Sequence, residues 1–195
     1  MAIRLVAGLG NPGSEYSDTR HNAGFWFVDA LARRNALTLR DESRFFGRHG
    51  RVTIDGRSVS LLEPTCWMNR SGQSLVACAG YYRVTPSEIL VVHDDLDLDP
   101  GAVRLKTGGG HGGHNGLRDI VSRLGSGEFH RLRVGIGHPG SAERVVSWVL
   151  SRANRDDTRL IEDGLARALD CLPDILAGDF SRAMNVLHQK VTRNG

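Results

Sequence analysis

The sequence predicts an α/β fold: a single-domain, three-layer arrangement over residues 1–195, with a twisted mixed β-sheet flanked by α-helices. Two observations predict it. Short apolar runs of strand length, among them Ile3 to Ala7, Ile89 to Val92 and Leu132 to Ile136, alternate with longer segments whose apolar residues recur at helical spacing. A hairpin signal, Asp55-Gly56 between Arg51 to Ile54 and Ser58 to Leu62, breaks that alternation and adds antiparallel strands to a parallel pattern.

The elements follow in order. Ile3 to Ala7 reads as a short buried strand, and after a loop of about ten residues Ala23 to Arg34 reads as an amphipathic helix with Phe25, Val28, Leu31 and Ala32 on one face. Beyond the hairpin, Ser71 is placed to cap a helix running to about Arg83. Pro86 punctuates the chain, and the strand Ile89 to Val92 ends in His93-Asp94. Val103 to Lys106 is a further strand, followed by the glycine-dense TGGGHGGHNG and a helix from about Leu117 to Leu124. The last third is helical, with Leu160, Ile161, Leu165, Ala168, Leu169 and Leu172 in register, Pro173 interrupting, and Asp179 capping a final basic helix.

Composition narrows the function classes. A chain of 195 residues with 40% hydrophobic residues buries a substantial core. It contains no apolar run of the roughly 20 residues that span a bilayer and no signal-peptide pattern, so a soluble cytoplasmic protein without a membrane partner is expected. Cys66, Cys78 and Cys171 form no C-x-x-C pair and read as reduced thiols. The net charge is +3, and the basic residues are arginine apart from Lys106 and Lys190, which permits phosphate contact without demanding it.

The stretch GLGNPG, Gly8 to Gly13, satisfies the G-x-G-x-x-G pattern of dinucleotide-binding loops. That fingerprint needs its third glycine to open a helix whose N-terminus receives a pyrophosphate. Here Pro12-Gly13 is a turn pair, and the predicted helix starts well downstream, beyond Arg20-His21-Asn22. GIGHPG, Gly135 to Gly140, repeats the match after another strand. Both read as strand-to-turn geometry, and no cofactor is implied.

His21 stands out among eight histidines because it lies in the loop after a buried strand, where open α/β sheets bind ligands. Asp94 occupies the analogous place after Ile89 to Val92. If those strands are neighbours, Asp94 accepts the Nδ1 proton of His21, fixes its tautomer and stabilises the imidazolium formed as water is deprotonated. The run His93, Asp94, Asp95, Asp97, Asp99 and the pair His111/His114 raise a metal reading. The acidic run lacks calcium-loop spacing, and the histidines lack cysteine or an H-E-x-x-H helix, so no metal is expected. No G-x-S-x-G elbow points to a covalent serine enzyme. Asparagines recur at loop ends instead: Asn11, Asn22, Asn69 and Asn115. Each is an ordinary turn former, yet several converging on a histidine supply amide groups suited to a carbonyl and a peptide backbone.

With GLGNPG-x-x-Y-x-x-TRHNAG, P-T-x-x-MN-x-SG, HDDLD, GGGHGGHNGLRD and FHRLRVGIGHPG in order, the chain resembles the bacterial-type peptidyl-tRNA hydrolases, from about residue 3 to residue 149. The resemblance implies hydrolysis of the ester joining a peptide to the terminal ribose of tRNA, recycling tRNA from prematurely released peptidyl-tRNA. It implies a monomer. His21 then matches the catalytic base and Asp94 the group that keeps it basic. Asn11 matches the residue that reads the peptide amide and helps reject aminoacyl-tRNA with a free amine. Tyr16, Trp67, Asn69 and Asn115 match positions at the tRNA end and adjoining peptide, with Met68 and His114 nearby. Lys106 and Arg133 match a clamp for tRNA phosphate, and glycines such as Gly112 let backbone approach a large ligand. Trp67 replaces the more usual Phe or Tyr, and Asp95 the usual glutamate. The rival classes are a non-catalytic RNA-binding module, a metal hydrolase built on the aspartates with His111 and His114, and a nicotinamide oxidoreductase.

Overall fold

The computed structural model describes residues 1–188. Its centre is one seven-stranded sheet made by β1 (Leu5–Gly8), β2 (Arg40–Glu42), β3 (Gly47–Ile54), β4 (Arg57–Pro64), β5 (Ile89–Asp95), β6 (Val103–Thr107) and β7 (His130–Gly135). Their order is β2-β3-β4-β1-β5-β7-β6. The central four run parallel to one another, and β2-β3, β3-β4 and β6-β7 pair antiparallel. The mixed sheet between helices is the architecture the sequence predicts. Its hairpin turns at Asp55 and Gly56, both at positive φ (48° and 76°), the pairing a tight two-residue turn requires.

Seven α-helices are found among the described residues: α1 (Ala23–Arg34), α2 (Ser71–Tyr82), α3 (Asn115–Leu124), α4 (Val145–Val149), α5 (Arg155–Asp170), α6 (Leu172–Ala177) and α7 (Phe180–Leu187). They divide the core in two. Val6, Leu90, Val92, Leu132 and Val134 face α1, α5 and α6 on one side of the sheet. Leu5, Ala7, Val91 and Phe129 face α2 and α3 on the other, as the period-two alternation of a strand covered on both faces dictates. No helix among the described residues is long and apolar enough to cross a membrane.

Several boundaries differ from the sequence pattern for identifiable reasons. The first strand begins at Leu5, because the Ile3 N–H already bonds to Leu176 O at 3.0 Å. In α1 the inward aromatic is Phe27, while Phe25 lies half-buried under the close-approaching Gly10. Ser71 does not cap α2. It is the first helical residue, and its Oγ donates to Met68 O at 2.8 Å, closing the preceding turn. The third helix starts at Asn115, two residues early, because the His114 ring caps it. Pro173 sits in the first turn of α6, where its missing N–H is harmless. Asp179 caps α7 by accepting from Arg182 N at 3.2 Å, as its position predicts, although Lys190 of the expected basic helix lies outside the described residues.

This topology places the site. The chain leaves β1 toward β4 on one side and leaves β5 toward β7 on the other, so adjacent parallel strands send their connections apart and open a crevice at their C-terminal ends. The start of α1 packs directly on that crevice. A methyl group at Gly24 would collide with Leu9 N and Val92 O, and one at Gly8 with Gly24 O, so only glycine at both positions lets the helix sit this close.

Candidate active site

The close seating of α1 brings His21, one turn before it, against the end of β5. His21 Nδ1 lies 2.8 Å from Asp94 Oδ1. The same oxygen is 3.0 Å from His114 Nε2. His114 Nδ1 accepts from the backbone N–H groups of Gly116 (3.1 Å) and Leu117 (3.3 Å) at the start of α3, so its proton resides on Nε2 and is donated to Asp94. Asp94 thus receives two imidazole protons on one buried oxygen, and the His21 and His114 rings lie 5.0 Å apart.

The electrostatics follow. Burial opposes the charge on Asp94, but His21 and His114 together hold its carboxyl well below the usual range. Burial likewise disfavours imidazolium at His21, yet the charge and hydrogen bond of Asp94 prevail and raise its pKa above the ordinary histidine value. His21 therefore carries its proton on Nδ1 and presents Nε2 as a base. His93, edge-on to His114 at 5.1 Å, behaves oppositely: burial and the neighbouring His114 push it down to about 4. Its Nδ1 donates to Asp94 O at 2.7 Å, and its buried Nε2 has no protein partner among the described residues.

Asn11 is held from three directions. Its N–H donates to Asn22 Oδ1 (2.9 Å), its C=O accepts from Asn22 Nδ2 (3.0 Å), and its Oδ1 accepts from Met68 N (2.9 Å). With Oδ1 engaged, Nδ2 is the group of this cavity-lining side chain that makes no hydrogen bond among the described residues.

That cavity measures about 870 Å³. The structure brings Asn11, His21, Trp67, Met68, Asn69, Asp94, Lys106, Gly112, His114, Asn115 and Arg133 together in its lining. Tyr16 is the sequence-selected residue that does not line it. It stands edge-on to the half-exposed Trp67 ring at 5.8 Å, outside the rim. Lys106 is exposed and makes no ion pair among the described residues, whereas Arg133 Nε donates to Asp95 Oδ2 at 2.7 Å. The two expected clamp residues are therefore unequal: one without an ion pair among the described residues and one paired with Asp95.

Two features of the site escape the sequence pattern. The first is an apolar wall made by α4 and its flank, where Val145, Val146, Val149 and Leu150 line the cavity and Val146 is 69% exposed. The run VVSWVL is its signal in the sequence, an apolar stretch too short to classify by periodicity. The second is what fastens that wall. Buried Arg20 lies 3.7 Å over the Trp148 ring and donates through Nη1 to Ser151 Oγ and Arg152 O, each at 2.8 Å. The residue beside His21 thus ties the histidine loop to α4.

Comparison with known proteins is consistent across sequence and structure. Residues 5–194 match the family model described as peptidyl-tRNA hydrolase. The peptidyl-tRNA hydrolase of Pseudomonas paraeruginosa is 53% identical over 190 residues, covering 97% of this chain and 98% of the relative. That of Acinetobacter baylyi is 54% identical over 186 residues, covering 95% and 96%. The crystal structure of peptidyl-tRNA hydrolase from Acinetobacter baumannii superposes with a TM-score of 0.92 at 52% identity, covering 95% of this chain and 94% of that one. A peptidyl-tRNA hydrolase complex with N-propanol superposes at 0.94 with 50% identity, covering 97% of each chain.

Proposed function

Since the chain belongs to the peptidyl-tRNA hydrolase family and hydrolyses peptidyl-tRNA, we propose that His21, held by Asp94, is the base that activates the attacking water. The observation that carries this is the 2.8 Å contact between His21 Nδ1 and Asp94 Oδ1 in the cavity lining. Nε2 takes a proton from water as the hydroxide adds to the ester carbonyl. Asp94 stabilises the imidazolium so formed, and the proton is then delivered to the departing ribose oxygen.

Asn11 contributes a donor, Nδ2. A peptidyl or N-blocked substrate offers a carbonyl oxygen beside the reacting residue for that donor, whereas a free α-ammonium offers only further N–H groups. Discrimination against aminoacyl-tRNA follows from this mismatch of donors. Asn69 and Asn115 supply further amide groups in the cavity lining. Trp67, with Tyr16 behind it, offers a stacking face for a terminal base, Met68 an apolar floor, and Lys106 with Arg133 positive charge for phosphate. The open backbone at Gly112 lets a large ligand approach.

The chemistry is metal-independent in this reading. His21, Asp94 and His114 lie close enough to share an ion. To join such a site, however, His21 would have to change tautomer, and His114 would have to release the Gly116 and Leu117 N–H groups or lose its proton. We place the protein in the cytoplasm with its substrate, as a single-domain monomer.

The test compares N-acetyl-aminoacyl-tRNA with free aminoacyl-tRNA in the presence of excess chelator. Hydrolysis of the blocked ester alone, undiminished by chelator and lost in His21→Ala with tRNA binding retained, is the expected result. Loss of activity on chelation would overturn metal independence, and near-normal turnover by His21→Ala would remove His21 from the mechanism.

A further inference from the structure

We propose that Arg131 is a positioning residue that latches the stem of the glycine-rich loop over the substrate cavity, which rests on that cavity being the substrate site proposed above. Arg131 projects from β7 and is 2% exposed. It makes no ion pair among the described residues. Its guanidinium donates through Nη1 to Gly110 O and through Nη2 to Gly109 O, with a longer contact to Gly127 O at 3.4 Å. The Phe129 ring lies beneath it at 4.6 Å. Burying a guanidinium without a carboxylate is costly unless neighbouring dipoles compensate. Here the compensating dipoles are the loop's own carbonyls, so cation and loop hold each other.

The backbone is shaped for this. Gly108 and Gly109 have φ of 66° and 100°, which turns their peptide groups toward β7, and Gly108 N–H bonds to Phe129 O at 3.0 Å. Beyond Gly110 the bonds are local. His114 N donates to His111 O at 2.9 Å and Gly113 N to His111 Nδ1 at 3.1 Å, and an added Cβ at Gly110, Gly112 or Gly113 would meet nothing. The stem is therefore pinned and the tip is open. Gly110, His111, Gly112 and Gly113 all line the cavity, so the latch sets the position of one wall.

His114, at the far end of the loop, is fixed independently by α3 and by Asp94. Releasing the stem therefore loosens the wall without disturbing the His21–Asp94–His114 network. A positioning role of this kind separates KM from kcat. A planar fork reaching two carbonyls is a property of arginine that lysine lacks, which makes Arg131→Lys the informative variant.

The experiment measures hydrogen exchange of residues 108–113 in the free protein, together with steady-state hydrolysis of N-blocked aminoacyl-tRNA, for Arg131→Lys and Arg131→Met. Both variants should exchange faster in that segment and raise KM about tenfold, with kcat changed by about twofold or less and the pH–rate limb unmoved. Unaltered exchange and KM in Arg131→Lys would overturn the latch, because charge alone would then suffice. A fall in kcat or a shifted pH limb at unchanged KM would also overturn it. Faster exchange with unchanged KM would refute the placing of substrate beneath the loop, and with it the reading of the cavity. Arg131→Lys keeps the charge and the aliphatic stem, and decides the matter alone if Arg131→Met does not fold.

Discussion

Asn22 grips Asn11 by both of its backbone groups, receiving the N–H on Oδ1 at 2.9 Å and donating Nδ2 to the C=O at 3.0 Å. One side-chain amide here does the work of a neighbouring strand. It immobilises a buried residue of the cavity lining whose side chain is held in turn by Met68 N, which leaves Nδ2 as its remaining donor.

Replacing Asn22 by alanine leaves a buried N–H and C=O unpaired, at roughly 1–3 kcal/mol each. Asn22→Ala should therefore lower the melting temperature and reduce the preference for N-blocked over free aminoacyl-tRNA by about tenfold, through loss of Asn11 orientation. Measuring both hydrolysis rates in the same preparation checks this. Asn22→Asp is the sharper variant, since it retains the acceptor for Asn11 N–H but turns a carboxylate oxygen toward Asn11 O. A variant that melts early yet keeps full discrimination would confine Asn22 to stability.

The His21–Asp94 pair sets the pH dependence. The pKa of His21 is raised, so the neutral base is present only above that raised value, and the rising limb of kcat/KM should lie above about 6.5, the ordinary histidine value. Linkage gives the matching stability term: protonated His21 stabilises the fold fully below its unfolded pKa, and that contribution is lost as pH rises through the raised value. In Asp94→Asn the attraction is gone while burial remains. The limb should then move to lower pH as the plateau rate falls by roughly 10²–10⁴-fold. A pH–rate profile with an unmoved limb in Asp94→Asn would separate the two residues.

The third prediction concerns the apolar wall made by α4. Arg20 stacks on Trp148 at 3.7 Å and bonds the chain at Ser151 and Arg152, so Arg20→Met removes a cation–π contact and at least two charged hydrogen bonds. A loss of about 2–4 kcal/mol in unfolding free energy is expected. KM for substrates with bulky apolar peptides should rise more than KM for N-acetyl-glycyl-tRNA, because Val146 and Leu150 form the surface that loosens. Urea unfolding and paired KM measurements test the two halves separately.

Much of this arrangement is legible in the sequence, and what is not has physical causes. The bounds of α1 follow from apolar spacing, and the mixed sheet follows from Asp55-Gly56, because both signals are local. The approach of His21 to Asp94 depends on β1 and β5 being neighbours, which no local pattern encodes; position after two buried strands makes it conditional. The cap of α3 is an imidazole, which the usual Ser/Thr/Asp/Asn rule passes over, and this hides the tautomer of His114. Arg20 and Arg131 look like two more solvated arginines in an arginine-rich chain. They are only 3% and 2% exposed because of contacts to segments more than 100 and about 20 residues away, Trp148 to Arg152 and Gly109 to Gly110 respectively.

Glu63 supplies the last prediction, away from the cavity. Its carboxyl on β4 is fully buried, accepts from Arg48 on one oxygen, and leaves Oε1 without a partner among the described residues. Arg48 also reaches Asp29 at 3.3 Å, so one cation serves two carboxylates. Burial and the charge of Asp29 outweigh Arg48 and raise the Glu63 pKa to about 7. A carboxyl raised in the folded state binds more protons there than when unfolded, so stability declines as pH climbs from the ordinary glutamate value of about 4.3 toward 7. Glu63→Gln keeps the shape and removes the buried charge. It should flatten that decline and stabilise the protein at pH 8 by roughly 1–3 kcal/mol, with kcat/KM at neutral pH changed by about twofold or less. Urea unfolding of both proteins at pH 5 and pH 8 distinguishes the alternatives. A glutamine variant less stable at pH 8 would mean that the bond to Arg48 outweighs the cost of burying the carboxylate, and that Glu63 holds β3 against β4 as an ion pair at every pH in that range.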